Sequence, residues 1–393
     1  MEDVKVEILR VTIGLVTSPQ ELRYIFESLL YVPDNRIKPY IIDKIIQYYA
    51  PKLVDPTYKI NCIVALQREV PVGFVICQVH PHYTSYGRKC CVFSWLIADE
   101  FEVFKALMDA CESFAQENRM RRLRGPINFP KIIGGMGIQT SGFQEQMLSG
   151  LAFGSEDSEI KSYLKRLGYR WESEYTCLRV EAQTWGKGKK VDNDIALKFW
   201  TVDEVESLRE PVLDLVQRSF HGIVPDSSGL DEKFEELLYT IRSLPQSYYE
   251  IEEPFIPEDW TKIPEFIESF KEKNMRKVIS FWPTAYDKNT QKMVGILATH
   301  PDLFEIYLNG TATRINVDTA MVDKDYSGRG IFSAMNNIGQ LACNVHGISY
   351  FEGTHIWTKN SKGVNNQRAI DTIFPHCRPI RTYMVFEKKM KRN

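Results

Sequence analysis

A chain of 393 residues exceeds what one hydrophobic core comfortably holds, which predicts two domains of somewhat under about 200 residues each. With 44% hydrophobic residues, 25% charged residues and a formal net charge of -2, the composition is that of a soluble globular protein without the basic excess of a nucleic-acid binder. No run approaches the roughly 18 to 20 apolar residues of a membrane helix, so neither a nucleic acid nor a membrane is expected as a partner.

From the N-terminus, MEDVKVEILRVTIGLV starts acidic and its apolar run is broken by Lys5, Glu7 and Arg10, which suits a first strand better than a signal peptide. KINCIVAL and VGFVICQV read as adjacent strands and CCVFSWLIA as a third. FEVFKALMDACESFAQ then carries Phe101, Phe104, Leu107, Met108, Cys111 and Phe114 at helical spacing, and RLRGPINF reads as a further strand. The glycine run Gly134, Gly135 and Gly137 lacks a following helical pattern and reads as a surface loop or cleft wall. Cys62, Cys77, Cys90, Cys91, Cys111, Cys177, Cys343 and Cys377 form no CxxC pair and sit mostly among apolar neighbours, as reduced thiols of a cytoplasmic protein do. His80 and His82 stand apart from the other histidines, so no metal site is expected.

The polar stretch EAQTWGKGKKVDND is the clearest seam. It predicts a first domain over 1–182, a linker over 183–194 and a second domain over 195–393. Beyond it the order repeats: IALKFWT as a strand, VESLREPVLDLVQRSF as a helix, RKVISFWPTA, KMVGILATH and RINVDTAMV as strands, a helix from Ile331 to Val345, then the strand ISYFEGTHIW. The halves therefore read as diverged copies of one α/β unit, each a mostly antiparallel mixed sheet flanked by helices. A Pro- and acid-rich insertion between Ile223 and Met275 distinguishes the second copy.

The junction VDKDYSGRGIFSAM places Gly328 and Gly330 between an apolar strand and a helix. Such a turn aims backbone N–H groups at one point beside the positive end of the helix, which suits a diphosphate, and Arg329 adds a cation. The stretch is neither GxGxxG nor a P-loop ending in GK[ST]. INVDTAMVDKDYSGRGIFSAM resembles the acyl-CoA pyrophosphate loop of the GNAT superfamily of N-acyltransferases, whose pattern [Q/R]xxGx[G/A] falls on Ser327, Gly328, Arg329, Gly330, Ile331 and Phe332. Ser327 and Phe332 depart from that pattern and Gly330 matches it. The resemblance implies acetyl-CoA as co-substrate, with Met321 and Val322 of the entering strand beside it and Asn360 or Asn366 on the pantetheine arm. The tyrosine that commonly protonates the departing thiolate is replaced by Ile373.

In the first half the matching junction is LIADEFEVF, where Asp99 and Glu100 stand at the helix start and would repel a diphosphate. LRGPINFPKIIGGMGIQTSGF with YLKRLGYRW resembles the motif-poor N-terminal half of tandem members of the superfamily. The implied activity is N-acetyl transfer to a primary amine, a small molecule or a peptide, in the C-terminal half; the alternative is a catalytically silent CoA-binding or protein-interaction module. Candidate catalytic residues are Glu352, Asp318 and His355, with Glu352 ranked first. Strand alternation predicts that Glu352 and His355 face opposite ways. A homo-oligomer is compatible with all of this.

Overall fold

A computed structural model describes residues 11–180, 191–220, 226, 230–245, 278–345, 347–358 and 377–390. The chain divides into two compact units, one of residues 1–83, 88–174 and 383–393, the other of residues 84–87 and 175–382.

Unit 1 begins with β1 (Thr12–Val16), α1 (Pro19–Leu29) and α2 (Lys38–Val54). The Ser18 side chain caps α1 by accepting from the Glu21 N–H, Pro19 opens the helix, and Leu22, Ile25 and Phe26 form the buried stripe. Then come β2 (Lys59–Gln67) and β3 (Val70–Val79); β4 (Thr84–Ser85) belongs to unit 2, and unit 1 resumes with β5 (Arg88–Lys89) and β6 (Cys91–Ala98). α3 (Phe101–Glu117) buries Val103, Phe104, Leu107, Met108, Cys111, Phe114 and Ala115. Phe101, expected in that stripe, is half-buried and carries the Arg166 guanidinium 3.4 Å from its ring centroid. β7 (Arg122–Gly125), α4 (Lys131–Gly134), β8 (Ile138–Ser141), α5 (Ile160–Arg166) and the start of β9 (Arg170–Val180) follow.

Unit 2 contains the end of β9, then β10 (Ile195–Thr201), α6 (Arg209–Phe220), α7 (Leu230–Ser243), β11 (Val278–Asp287), β12 (Met293–Pro301) and α8 (Leu303–Asn309). β13 (Arg314–Val322), α9 (Ile331–Val345), β14 (Tyr350–Trp357) and the first residues of β15 (Arg378–Lys389) complete it. Much of the insertion expected between Ile223 and Met275 lies outside the described residues.

Strand order is the same in both units. Unit 1 runs β1, β2, β3, β6, β7, β15 and unit 2 runs β10, β11, β12, β13, β14, β9. The ladders that fix these orders are antiparallel except β6 with β7 and β13 with β14, which are parallel. The last strand in each order comes from the other half of the sequence: β9, which precedes the seam, pairs with β14, and β15, at the end of the chain, pairs with β7. The division into units therefore differs from the sequence boundary at 182. It falls at Glu174 and Tyr175, within β9, and returns residues 383–393 to unit 1. A linear pattern marks where a strand is, but not which sheet its hydrogen bonds join. α3 packs on unit 1 through a cluster that includes Phe104, Leu107, Phe93 and Phe386. In unit 2, Ile331 and Met335 of α9 pack on Leu197, Phe199, Val294 and Leu297.

Candidate functional site: an open fork between parallel strands

β13 and β14 pair from Arg314 opposite Tyr350 to Val317 opposite Gly353, and the ladder stops there. β13 continues to Val322 and β14 to Trp357, so their facing edges part into a fork. Both strands are bulged at its apex. On β13, Val317 faces Thr299 and Thr319 faces Ala298, leaving Asp318 as the extra residue. On β14, Gly353 faces Leu178 and Ile356 faces Thr176, so Thr354 and His355 together oppose Cys177, and His355 takes φ +48°.

That second bulge corrects the alternation expected from sequence. Without it Glu352 and His355 would lie on opposite faces. With it, His355 is on the face of Cys177 and Tyr175, its ring 5.9 Å edge-on from Tyr175, the face on which Glu352 lies opposite Arg179.

The wide end of the fork leads into the glycine turn. Asp323 is buried, its N–H donates to the Val294 carbonyl, and its carboxylate is ion-paired with Arg218. A single 3₁₀ turn, Lys324–Tyr326, follows. Gly328 and Gly330 have φ +77° and +81°, which only glycine adopts freely, and a Cβ at 328 would meet open space. α9 begins at Ile331, and its first-turn N–H groups have no acceptor within the helix. Two tethers hold the turn from outside. The Tyr326 hydroxyl donates to Asp287 Oδ2 at 2.7 Å, and together with the Thr290 and Asn289 amides it holds the Asp287 carboxyl below the usual range. Arg329 pairs with Asp192 at 2.7 Å and with Asp194, and these carboxylates raise its pKa. Arg329 was expected to present its charge to an anion; two carboxylates from the segment before β10 neutralise most of that charge.

At the apex lies a buried polar network. Glu352 is 0% exposed, its Oε1 is 2.9 Å from Arg381 Nε, and its Oε2 accepts from the Tyr350 hydroxyl at 3.0 Å. Burial raises the Glu352 carboxyl above its ordinary range, against the downward pull of Arg381 and Tyr350. Burial likewise raises the neighbouring Cys177 thiol, leaving it protonated. Thr354 donates from Oγ1 to Asn316 Oδ1 at 2.7 Å, across the two strands, with the Val317 carbonyl 3.4 Å away. Asp318 and His355 are half-buried, and Asp318 accepts from the Thr319 hydroxyl at 2.6 Å.

The structure thus brings Asp318, Glu352 and His355 to one fork and strings Met321, Val322 and Ser327 to Phe332 along its open side. Asn360 and Asn366 lie outside the described residues. Sequence reasoning missed Asn316, Thr354, Tyr350, Cys177 and Arg381. Asn316 alternates with Arg314 and Asp318 and carried no distinguishing signal; Cys177 reaches Glu352 through strand exchange, and Arg381 through β15, so neither carried one.

Unit 1 has the corresponding parallel pair, Cys91 opposite Leu123 and Val92 opposite Arg124, but there the chain itself fills the fork. The Ile127 N–H donates to Phe93 O at 3.0 Å, the Trp95 N–H to Asn128 Oδ1 at 2.8 Å, and Trp95 Nε1 to Phe129 O at 2.7 Å. The glycine run is part of this plug and not a surface loop: a Cβ on Gly134 would stand 2.5 Å from the Trp95 ring, and one on Gly135 would stand 2.4 Å from the Ala152 nitrogen. Asp99 and Glu100 are exposed at the start of α3, as expected.

A mostly antiparallel sheet with a parallel, bulged fork opening onto a glycine turn and helix, its strand order present twice, is matched among solved structures. A tandem GNAT protein from the clavulanic acid biosynthesis pathway superposes with TM-score 0.53 at 8% identity, over 98% of this chain and 100% of that one. The chain has the tandem GNAT fold. A GCN5-related N-acetyltransferase from Sphaerobacter thermophilus gives TM-score 0.51 at 10% identity, over 98% and 96% of the two chains. The GCN5-related glucosamine N-acetyltransferase region of a fungal multi-domain GH3 beta-N-acetylglucosaminidase gives 0.55 at 11% identity, over 98% of this chain and 38% of that one. No protein-family model matches the sequence, and a search of curated proteins finds no match. Among the described residues, no helix is long and apolar enough to cross a membrane.

Proposed function

We propose that unit 2 is an N-acyltransferase that moves an acetyl group from acetyl-CoA to a primary amine by direct attack. What supports this reading is the fork that no described strand or loop fills, running into the glycine turn, set against the filled fork of unit 1. The diphosphate rests on the amides from Ser327 to Phe332 at the start of α9, where the helix dipole favours an anion. The pantetheine arm lies along the β13 edge past Val322 and Met321, taking the hydrogen bonds a neighbouring strand would have taken. The thioester carbonyl then reaches the bulge at Asp318, where interruption of the ladder re-aims the backbone.

The amine attacks the carbonyl carbon, the C–S bond breaks, the thiolate leaves, and the nitrogen loses a proton. Of the candidates, Asp318 and His355 are half-buried, whereas Glu352 is fully buried. We assign proton acceptance to His355 and attraction of the incoming ammonium to Asp318. Glu352 is enclosed and ion-paired, so its part is to position β14 through Arg381 and Tyr350. The neutralised charge of Arg329, with Ser327 and Phe332 in the loop, favours a second reading, a module that binds CoA without turning it over.

Calorimetry with acetyl-CoA, combined with thiol release in the presence of a panel of primary amines, tests both. One molecule bound per chain with amine-dependent thiol release is expected. Binding without release selects the silent module, and no binding ends both readings.

A further inference from the structure

Resting on that reading, we propose that Thr354 and Asn316 form a clasp that closes the apex of the fork and restricts the donor to short acyl groups. The fork is open towards Val322 and the glycine turn and narrows to the last ladder pair, Val317 with Gly353. From Val317 to Val322 the strand covers roughly 16 Å at about 3.3 Å per residue. A thioester whose diphosphate sits at the turn therefore lies with its acyl group leading towards the apex. There the side chain of Thr354 spans the gap from β14 to β13, its hydroxyl on Asn316 Oδ1 at 2.7 Å and 3.4 Å from the Val317 carbonyl.

Both clasp residues are buried, Asn316 at 1% and Thr354 at 5% exposure. A buried, paired hydroxyl and amide are costly to separate, so the clasp does not yield to an entering alkyl chain. Behind it stand Glu352 and Arg381, an ion pair that offers no apolar volume. Unit 1 has no counterpart to this pair: Val92 and the Gly125–Pro126 step stand at the corresponding positions, with the plug beyond them. The clasp is thus a feature of the open fork.

The test is calorimetric affinity for acetyl-, propionyl- and butyryl-CoA, which needs no knowledge of the acceptor. Wild type should lose more than tenfold in affinity between acetyl and butyryl. Thr354→Ala, which removes the spanning atoms, should recover most of that loss, because each methylene newly accommodated is worth about fourfold. Thr354→Val breaks the hydrogen bond but keeps the bulk, and should retain the wild-type preference. If Thr354→Ala does not fold, Thr354→Ser, smaller by one methyl, should shift the preference by one carbon. An unchanged chain-length profile in the folded small variants, or a flat profile in wild type, overturns the clasp while leaving acetyl-CoA binding intact. Failure of wild type to bind acetyl-CoA at all overturns the reading beneath it.

Discussion

The two forks occupy the same place in the same strand order and have opposite fates. In unit 1, Arg124 on β7 is fully buried and pairs with Glu387 on the neighbouring strand. In unit 2 the corresponding position on β14 is Glu352, and its partner is Arg381. Each is followed by glycine, LRGP in one and FEGT in the other. A buried ion pair at the apex is therefore common to both units with its sign reversed, and it survives in the fork that the chain has filled. Its presence accordingly marks the architecture of the apex, whereas, on the proposed reading, the free edge of β13 and the glycine turn mark the unit that holds the ligand. On the proposed reading Glu352, ranked first for catalysis from the sequence, acts instead as an anchor.

The largest effect expected from breaking the comparison comes from removing one partner of each pair. Arg381→Leu leaves a carboxylate buried without its cation and should cost ~3 to 5 kcal/mol of stability in denaturant unfolding. Arg124→Leu should cost less, because Arg122 still reaches Glu387 at 3.2 Å. Equal losses would mean that the two apices are energetically alike and that Arg122 contributes nothing.

Next is the chemistry of the open fork. His355→Gln should lower turnover by ~10² to 10⁴-fold with acetyl-CoA affinity retained, and Glu352→Gln by less. A near-normal His355→Gln rate, with Glu352→Gln impaired, would return the base to the buried carboxylate.

The turn should respond by more than tenfold. Gly330→Asp forces a side chain into a φ of +81° and adds a repelling charge, so acetyl-CoA binding should weaken by more than a factor of ten while circular dichroism stays native. The control lies in unit 1: Asp99→Asn with Glu100→Gln should create no second CoA site, because the fork behind α3 is filled. A stoichiometry of two would show that repulsion alone kept CoA out.

The smallest effect is a pH dependence. The folded Asp287 carboxyl lies below its usual pKa because Tyr326 donates to it, so its contribution to stability is present above the ordinary carboxylate pKa and is lost as pH falls through the folded value. Tyr326→Phe should therefore flatten the acid limb of the melting-temperature profile. Parallel acid limbs in the two proteins would mean that the tether does not hold the turn.

Periodicity was enough to place α3, β2, β3, β6 and the strands and helix around the glycine turn, because a strand's two-residue and a helix's 3.6-residue repeat are local properties of sequence. The turn itself was legible for the same reason, since Gly328 and Gly330 declare positive φ without reference to anything distant. The fork was not legible, because it is an absence of pairing between two strands separated by a whole helix. His355 illustrates the limit: strand alternation assigned it a face, and one bulge against Cys177 reversed that assignment. Arg329 illustrates it again, a cation by sequence that long-range pairing with Asp192 and Asp194 largely cancels.

What the sequence determined alone is the inventory of elements, their repetition and the chemistry of one turn, all set by residues within a few positions of each other. Which fork is open, which charges face one another at its apex, and the exchange of β9 and β15 between halves were decided by tertiary structure. Those features depend on hydrogen-bond register between segments as far apart as Arg124 and Glu387, and register is fixed only when the whole sheet has assembled.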